Sequence, residues 1–225
     1  MMNLLPLLLC TRLLAAKPPS VDLEAVLTRM DQAAAAFRDM TARLTKIAYT
    51  AVLKESNQEQ GTIWMKRADS RAMMKVEFQA PDLRSVAFEG TTAQIYYPKM
   101  QTVQIYDLGK NRTLIEHFSL LGFGTARRDL ARNYSIRLVG EETIEGRPVV
   151  HLELKPKSPK VLEQVEKVDL WIAPEQGYPI RQRFLQPGGD YYLISYYEIK
   201  LNTGLSDRAC RLNLPRNVRR EYPQR

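Results

Sequence analysis

The chain has 225 residues, of which 13 are proline and 11 glycine, a content that fits an ordinary globular protein and argues against a disordered or fibrous one. Lysine and arginine outnumber aspartate and glutamate by 33 to 25, and the net charge of +8 favours an anionic partner, with phospholipid head groups and nucleic acid both compatible with the charge alone. Two histidines and two cysteines leave little for a metal site or a Cys/His nucleophile pair, so most metal and acid–base chemistry is unexpected.

Residues 1–16 are predicted to be a secretory signal peptide, which leaves a single domain over residues 17–225. A leucine-rich run over residues 4–9 is followed by small residues at Ala15-Ala16 and then by polar sequence. This is the order of a signal peptide, and the apolar run is too short to cross a bilayer. The leader therefore predicts secretion.

Two features of this leader leave alternatives open. No cation precedes the apolar run and Arg12 interrupts it, so a disordered terminus is the other interpretation. Cys10 follows Leu9, whereas a lipobox needs a small residue at that position, so lipidation is not expected. If the leader is removed, Cys210 is the remaining cysteine and no intramolecular disulfide can form.

An amphipathic helix is predicted next. Ser20 is a suitable N-cap, and Asp22 and Glu24 place negative charge in the first turn, where the helix dipole favours it. Apolar residues then recur at helical spacing and form one stripe. They are Leu23, Val26, Leu27, Met30, Ala34 and Phe37.

After residue 40 the hydrophobic period changes to two, which predicts a series of strands. A polar turn is predicted over residues 55–60. The predicted strands cover residues 44–51, 61–66, 73–78, 85–88, 92–97, 102–107, 135–141, 149–155, 167–173, 179–185 and 191–201. About ten to eleven strands at short, even spacing predict an antiparallel sheet that curls or closes.

Residues 112–133 do not follow the period-two pattern of the strands and are predicted to be helical. Gly122 and Gly124 interrupt the helix, and Thr125 is predicted to cap a second, short one. The first helix has its apolar side chains on one face, at Leu114, Ile115, Phe118 and Leu121. The sequence thus predicts an α+β fold, a half-open antiparallel β-barrel of about ten to eleven strands with an N-terminal helix and a helical lid over an apolar cavity.

The sequence contains no recognisable set of catalytic residues, so the chain is not expected to be an enzyme and no cofactor or metal is expected. Gly122-Phe123-Gly124 does not follow a strand in a βαβ unit, which argues against a dinucleotide fingerprint. His117 and His151 are interpreted as surface residues on a helix and a strand.

Four tyrosines lie in one predicted strand. Their phase places Tyr191 and Tyr197 on one face and Tyr192 and Tyr196 on the other. Cross-strand packing and the lining of a binding cavity are both compatible with this pattern.

One predicted strand and the residues after it have the sequence Gly61-Thr62-Ile63-Trp64-Met65-Lys66-Arg67-Ala68. This motif resembles the pattern G-x-hydrophobic-W-x-K-R-P of the LolA family, the periplasmic carriers of outer-membrane lipoproteins, with Ala68 in place of the proline. The resemblance continues through nearly the whole chain after the leader, at residues 75–81, 85–90, 94–97, 169–172, 177–179 and 212–218.

This resemblance implies an incomplete barrel closed by a helical lid over an apolar cavity. It also implies a function, which is to accept the acyl chains of lipoproteins from an inner-membrane ABC transporter and to pass them to an outer-membrane receptor. The expected partners are acylated lipoproteins, that transporter and that receptor. The basic tail is interpreted as a solvated surface, with contact to a membrane or a partner as the alternative, and its residues are Arg208, Arg211, Arg216, Arg219 and Arg220. Nucleic acid is not expected as a partner, and a monomer is expected.

The resemblance and the strand phase together name the candidate site. Arg67 matches the arginine that ties the lid to the barrel in the family. The expected lid residues are Leu114, Ile115, Phe118 and Leu121. Strand phase gives nine cavity-facing candidates, which are Met65, Met74, Val76, Phe78, Phe88, Leu152, Leu154, Leu170 and Ile172.

Three alternatives remain beside the lipoprotein carrier. The first is a receptor, carrier or sensor of another lipid, such as a phospholipid or an isoprenoid. The second is a non-enzymatic scaffold that uses the same fold to bind a protein. The third is an enzyme, against which the small number of histidines and cysteines argues.

Overall fold

A computed structural model describes residues 21–68, 71–89, 91–109, 118 and 120–224. The predicted signal peptide, the candidate lid residues Leu114 and Ile115, and His117 lie outside the described residues.

In the described residues the chain forms one sheet of twelve strands and three α-helices. The helices are α1 (Leu23–Ala36), α2 (Arg127–Asn133) and α3 (Pro159–Leu162). The strands are β1 (Asp39–Thr50), β2 (Glu55–Ala68), β3 (Arg71–Ala80), β4 (Arg84–Glu89), β5 (Thr92–Tyr97), β6 (Thr102–Asp107), β7 (Tyr134–Ile144), β8 (Arg147–Pro156), β9 (Lys167–Ala173), β10 (Tyr178–Leu185), β11 (Tyr191–Leu201) and β12 (Arg219–Glu221).

The sheet is open and almost entirely antiparallel. Its strand order is β12-β6-β5-β4-β3-β2-β1-β11-β10-β9-β8-β7, so β12 and β7 are the two edges. Only the short β12 runs parallel to its neighbour in the described sheet. The predicted antiparallel sheet is therefore confirmed, with twelve strands where about ten to eleven were expected. Barrel closure and the helical lid stay predictions.

Alternation along the strands explains which face of the sheet is buried. In β9, Val168, Leu170 and Ile172 are fully buried on one face, whereas Asp169 and Trp171 point to the other. The apolar stripe of α1 packs on the first of these faces, here called the inner face, through Val26, Leu27 and Met30.

The inner face carries two hydrophobic clusters. The first joins α1 and α2 to β8 and β9, and it contains Leu130, Leu152, Leu154, Leu170 and Ile172 among its buried members. The second joins β1, β2, β3 and β11 to the residues that follow α1, and it contains Phe37, Met40, Ile63, Met65 and Phe123.

Three predicted boundaries are corrected by local interactions. The N-cap of α1 is Asp22, whose carboxylate accepts a hydrogen bond from the Glu24 backbone N–H at 3.2 Å, and not Ser20. The N-cap of α2 is Ala126 and not Thr125, because the Thr125 hydroxyl donates instead to the Leu120 carbonyl at 3.0 Å.

The third correction concerns the polar turn predicted over residues 55–60. These residues begin β2, where they pair in register with β1 from Thr50↔Glu55 to Thr45↔Gln60. The turn itself is residues 51–54, and Lys54 adopts a φ of 54° there. Pairing with a neighbouring strand thus outweighs the low strand propensity of this polar segment.

A buried carboxylate holds the end of the sheet together at the start of β1. Asp39 is 3% exposed, and its two oxygens accept hydrogen bonds from the backbone N–H groups of Thr203, Gly204 and Leu205 at 2.7 to 3.2 Å. Burial raises the pKa of the Asp39 carboxyl, but these donors outweigh it and the pKa lies below its usual value.

We expect Asp39→Asn to lower the free energy of unfolding by about 2–3 kcal/mol at pH 7, because charge-assisted hydrogen bonds are lost. The stability supplied by Asp39 is fully present above its unfolded pKa of about 4, and it is lost as the pH falls through the lower folded value. The difference between wild type and Asp39→Asn in urea unfolding should therefore narrow below about pH 4. Asp82→Asn, at an exposed position on the turn after β3, is the control, with an expected change within about 0.5 kcal/mol at every pH. A pH-independent Asp39→Asn difference would contradict this explanation.

Candidate functional site

A cavity of about 330 Å³ lies between the two hydrophobic clusters of the inner face. Strands β1, β2 and β3 line one side, and β10, β11 and the residues after α3 line the other. Nine of the fifteen lining residues are apolar: Leu44, Ile63, Met74, Val76, Phe78, Phe118, Val165, Phe184 and Ile194. The polar lining residues are Lys46, Gln164, Gln182, Gln186, Tyr192 and Tyr196.

The segment formed by residues 118 and 120–124 contributes one residue to the cavity lining. Phe118 lines the cavity and packs edge-to-face on Phe184, with 5.7 Å between the ring centroids. Leu121 is fully buried in the first cluster and Phe123 in the second. The segment therefore bridges the two clusters across the inner face.

Buried hydrogen bonds hold this segment on the sheet. The Gln182 amide donates to the Leu121 carbonyl at 2.7 Å, and the Tyr196 hydroxyl donates to the Gln182 side-chain oxygen at 2.8 Å. Burial raises the pKa of Tyr196, so its hydroxyl remains a donor at neutral pH. The edge of the Tyr196 ring also contacts Phe123, with centroids 5.3 Å apart.

Arg67 lies near the end of β2 and holds two other parts of the chain. Its guanidinium donates to the carbonyl oxygen of Ala34 in α1 at 3.2 Å and to the carbonyl oxygen of Gly124. The guanidinium also lies 5.7 Å from the centroid of the Phe37 ring. Arg67 thus links α1 and residues 120–124 to the sheet.

This contact needs a glycine at position 124. A Cβ atom there would lie 2.6 Å from the Arg67 Nη2 and 3.2 Å from Phe37 Cδ1, both closer than side chains normally approach. Gly122, two residues earlier, has a φ of +81°, which a residue with a side chain rarely adopts. The two glycines therefore shape the turn that meets Arg67.

Four of the thirteen predicted cavity and lid residues line the cavity, and these are Met74, Val76, Phe78 and Phe118. Met65 is buried in the second cluster, and Leu121, Leu152, Leu154, Leu170 and Ile172 are fully buried in the first, so these six form the core around the cavity. Phe88 is partly buried opposite Met74 in the register of β3 and β4. The lipid-binding and lid roles of all these residues stay predictions.

The prediction that Tyr192 and Tyr196 share one face of their strand is confirmed, since both line the cavity. On the other face, Tyr191 stacks on Tyr49 with 4.9 Å between centroids, and the Tyr197 hydroxyl donates to Glu145 at 3.3 Å.

Sequence reasoning missed a group of charged residues at the polar end of the cavity. Glu59, in the segment predicted as a turn, is buried and accepts hydrogen bonds from Lys46 at 3.2 Å and from Arg84. Burial raises the pKa of the Glu59 carboxyl, but Arg84 and Lys46 outweigh this effect and the pKa lies below its usual value. The alternation of β1 places Lys46 on the same face as Leu44, which is the signal that could have identified it.

His151 is buried and does not lie on the surface as predicted. Its Nδ1 lies 2.6 Å from a Glu142 carboxylate oxygen and its Nε2 lies 3.0 Å from Asp169. Its ring stacks on Trp171 at 4.6 Å, and Arg183 pairs with the same buried Asp169 at 2.7 Å. These partners lie on the outer face of the sheet, away from the cavity, so the cluster is best explained as cross-strand packing.

Cys210 is a buried free thiol. Burial raises its pKa to about 11, so at neutral pH it stays protonated and is a weak nucleophile. Across the described residues, no group of three or more His, Cys, Asp or Glu side chains could hold a metal ion. None of the helices in this part of the chain is long and apolar enough to cross a membrane.

No protein-family model matches the chain, and no curated protein matches it in sequence. Solved structures do match its fold. MucB has 17% sequence identity over 88% of this chain and 65% of its own, with a TM-score of 0.51. An uncharacterised conserved protein from Thermus thermophilus has 12% identity over 88% of this chain and 98% of its own, with a TM-score of 0.54.

The same set of matches includes a LolA superfamily protein, NE2245 from Nitrosomonas europaea, with 14% identity over 86% of this chain and 99% of its own and a TM-score of 0.42. The chain shares its fold with MucB and with the Thermus thermophilus protein. At these identities the likeness concerns the fold alone, and the chain spans about 65% of the length of MucB.

Proposed function

We propose that this LolA-like chain is a non-enzymatic periplasmic carrier that binds the acyl chains of lipoproteins in the cavity between the two clusters. It receives them from an inner-membrane transporter and delivers them to an outer-membrane receptor, after residues 1–16 have directed export. The observation that carries the proposal is the largely apolar cavity itself, which is lined in part by Phe118 of a segment that Arg67 and Gln182 attach to the sheet.

The energetics of an acyl chain suit such a cavity. Each buried methylene is worth about 0.8 kcal/mol, so moving one long chain out of water is favourable by roughly 10 kcal/mol. Ligand cavities span about 300–1,000 Å³, and the cavity of about 330 Å³ lies at the small end of that range. Several chains would therefore require the segment formed by residues 118 and 120–124 to move.

Arg67 is the proposed latch for that movement. Its hydrogen bonds to Ala34 and Gly124 stabilise the position of this segment on the sheet, and cargo that displaces the segment must break them. Their re-formation favours release of the cargo to the next protein, since a ligand shifts an equilibrium only by its differential affinity for the two states.

The direct test is a titration of the mature protein with a fluorescent fatty acid, followed by competition. We expect saturable binding to one site and displacement by an acylated lipopeptide, but not by the same peptide without its acyl chains. Failure to bind the fluorescent fatty acid would overturn the carrier function. Displacement by a phospholipid but not by the lipopeptide would replace the lipoprotein with another lipid as the cargo.

A protein-binding scaffold is the second candidate, and one comparison favours it. MucB, which shares the fold, has also been solved in complex with MucA(peri). A scaffold of this kind would bind a protein partner without any acyl group, which the lipopeptide competition distinguishes from a carrier.

The turn between β1 and β2 is proposed to touch the membrane. Val52 is 90% exposed and Leu53 is 64% exposed, and the turn is tied to the β10–β11 connection by a 2.8 Å hydrogen bond from the Ala51 N–H to Asp190. Gln186, in that same connection, lines the cavity, so the turn lies at the cavity's polar end.

We expect the double change Val52→Ser and Leu53→Ser to weaken association with phosphatidylglycerol-containing vesicles at least about tenfold, because burying each side chain contributes about 1.5–3 kcal/mol. Fatty-acid binding should be unchanged. Co-sedimentation with vesicles measures the effect. Val139→Ser, at a 42% exposed position on the edge strand β7, is the matched control, and equal loss in both variants would contradict a specific role for the turn.

A further inference from the structure

The polar end of the cavity contains a compact group of charges, here called the basic cluster and made of Lys46, Glu59 and Arg84. The three residues come from β1, β2 and β4, and Glu59 lies opposite Lys46 in the strand register. Lys46 itself lines the cavity beside Leu44 and Tyr192. The lining thus changes from apolar to cationic along one strand.

The basic cluster has more positive than negative charge. Glu59, whose side chain is 8% exposed, is the one buried carboxylate between two cations, Lys46 at 3.2 Å and Arg84 at 3.0 Å through its Nη2. Asp82, on the exposed turn after β3, adds a weaker attraction for Arg84. One positive charge is therefore left within the cluster at the cavity surface.

Lys46 is the member that a ligand could reach. In the described part of the chain its ammonium has one hydrogen-bond partner, Glu59. An ammonium carries three N–H donors, so two remain for a ligand. The ammonium lies 4.9 Å from the Tyr192 ring centroid and 5.8 Å from that of Phe78, and these rings hold it at the boundary between the charged and apolar parts of the cavity.

The neighbouring rings and the partial burial of Lys46 strengthen the attraction of its ammonium for an anion. Its side chain is 25% exposed, so water screens it less than an exposed lysine, and an anion beside it gains more from the interaction. Glu59 is already engaged by Arg84 through two hydrogen bonds, so an incoming anion need not displace Glu59 to reach Lys46.

We propose that the cavity selects amphiphiles whose acyl chain is attached close to an anionic oxygen group, a carboxylate or a phosphate, which Lys46 binds. The acyl chain then lies along Ile63, Met74 and Val76 towards Phe118. This inference rests on the proposed carrier function and deepens it, because it gives the cavity a polar end that recognises a head group. The preferred class is fatty acids and acidic lipids, which bind more tightly than uncharged compounds with a chain of the same length.

The test compares three ligands with one chain length: dodecanoate, dodecyl phosphate and dodecanol. Each displaces a neutral fluorescent hydrophobic probe from the full mature protein below the ligand's micellar concentration. We expect dodecanoate, dodecyl phosphate or both to bind at least about tenfold tighter than dodecanol. The ratio between the two anions identifies whether a carboxylate or a phosphate is preferred, and inorganic phosphate alone should displace no probe because it lacks the hydrocarbon chain.

Variants assign the preference to one side chain. Lys46→Gln should reduce anion affinity to that of dodecanol and leave dodecanol binding unchanged, whereas Lys46→Arg should retain the preference. Lys54→Gln, at an exposed lysine on the adjoining turn, is the matched control and should behave as wild type. Thermal unfolding of each variant confirms that it is folded.

The outcomes separate this inference from the carrier function. If dodecanol and the anions bind the wild type equally well, the head-group inference is wrong and the carrier function stands. If none of the three displaces the probe, the carrier function itself fails. An anion preference that survives Lys46→Gln would place the head group elsewhere and overturn the assignment to Lys46.

Discussion

Phe118→Glu is expected to lower the affinity for a fluorescent fatty acid at least about thirtyfold while the protein remains folded. Phe118 is half-buried, lines the cavity, and has its ring against Phe184. A glutamate there would place a carboxylate beside Val165 and Phe184, where an acyl chain would strip it of water. Loss of the buried aromatic surface alone accounts for about 2 kcal/mol, which corresponds to about thirtyfold.

The control for this variant is Phe118→Leu, which keeps an apolar side chain of similar reach and should bind within about threefold of wild type. Equilibrium titration with the probe and urea unfolding of all three proteins separate binding from stability. Wild-type affinity in Phe118→Glu would remove residue 118 from the lipid-binding wall. A parallel loss in Phe118→Leu would show that ring packing, and not the apolar character of the wall, controls affinity.

Arg67→Leu is expected to bind cargo normally or more tightly, but to pass it on at least about tenfold more slowly. Hydrogen bonds from a charged donor each contribute about 1.5–3 kcal/mol, and Arg67 makes two of them, to Ala34 and Gly124. If the substitution destabilises the closed state by about 1.4 kcal/mol and leaves the cargo-bound state unchanged, the equilibrium between retention and release of the cargo shifts tenfold.

Transfer of a fluorescent lipopeptide from the loaded carrier to acceptor vesicles, followed by stopped-flow fluorescence, measures this effect. Arg43→Leu is the matched control, because Arg43 lies on the neighbouring β1 with its side chain 63% exposed and makes one ion pair with Glu198 at 3.5 Å. It should transfer cargo at the wild-type rate. If Arg67→Leu also did so, the latch would be wrong and Arg67 would only stabilise the packing of α1.

Strong local alternation made much of the fold predictable from sequence. The bounds of β5, β6, β9 and β11 agree with the predicted strands, since each has apolar and polar residues at period two and turn residues at its ends. The face of Tyr192 and Tyr196 followed from the same period. Where a strand has its own alternation of apolar and polar residues, the sequence is sufficient to predict its bounds and its faces.

Elements that depend on distant partners were missed. The polar residues 55–60 form a strand because β1 pairs with them, and Glu59 can be buried there because Lys46 and Arg84 neutralise it. The edge strand β12 has three residues and exists through its parallel pairing with β6. Neither partner is visible in the local sequence.

The candidate site was predictable to a similar degree. Strand phase identified Met74, Val76 and Phe78 as inward-facing, and all three line the cavity. It could not separate them from Leu152 or Leu170, which are equally inward but covered by α1, because coverage by a helix is a tertiary property. The partners of Arg67 in α1 and at Gly124 could likewise be named only once the chain was folded.

Native mass spectrometry of the protein purified from a periplasmic extract of its own host tests the carrier account most directly. If the protein carries lipoproteins, the spectrum contains a complex whose additional mass corresponds to an acylated protein, and this complex is lost in Phe118→Glu. Free phospholipid alone would keep a lipid carrier and change its cargo. A protein that emerges empty and also fails to bind a fluorescent fatty acid would contradict the account.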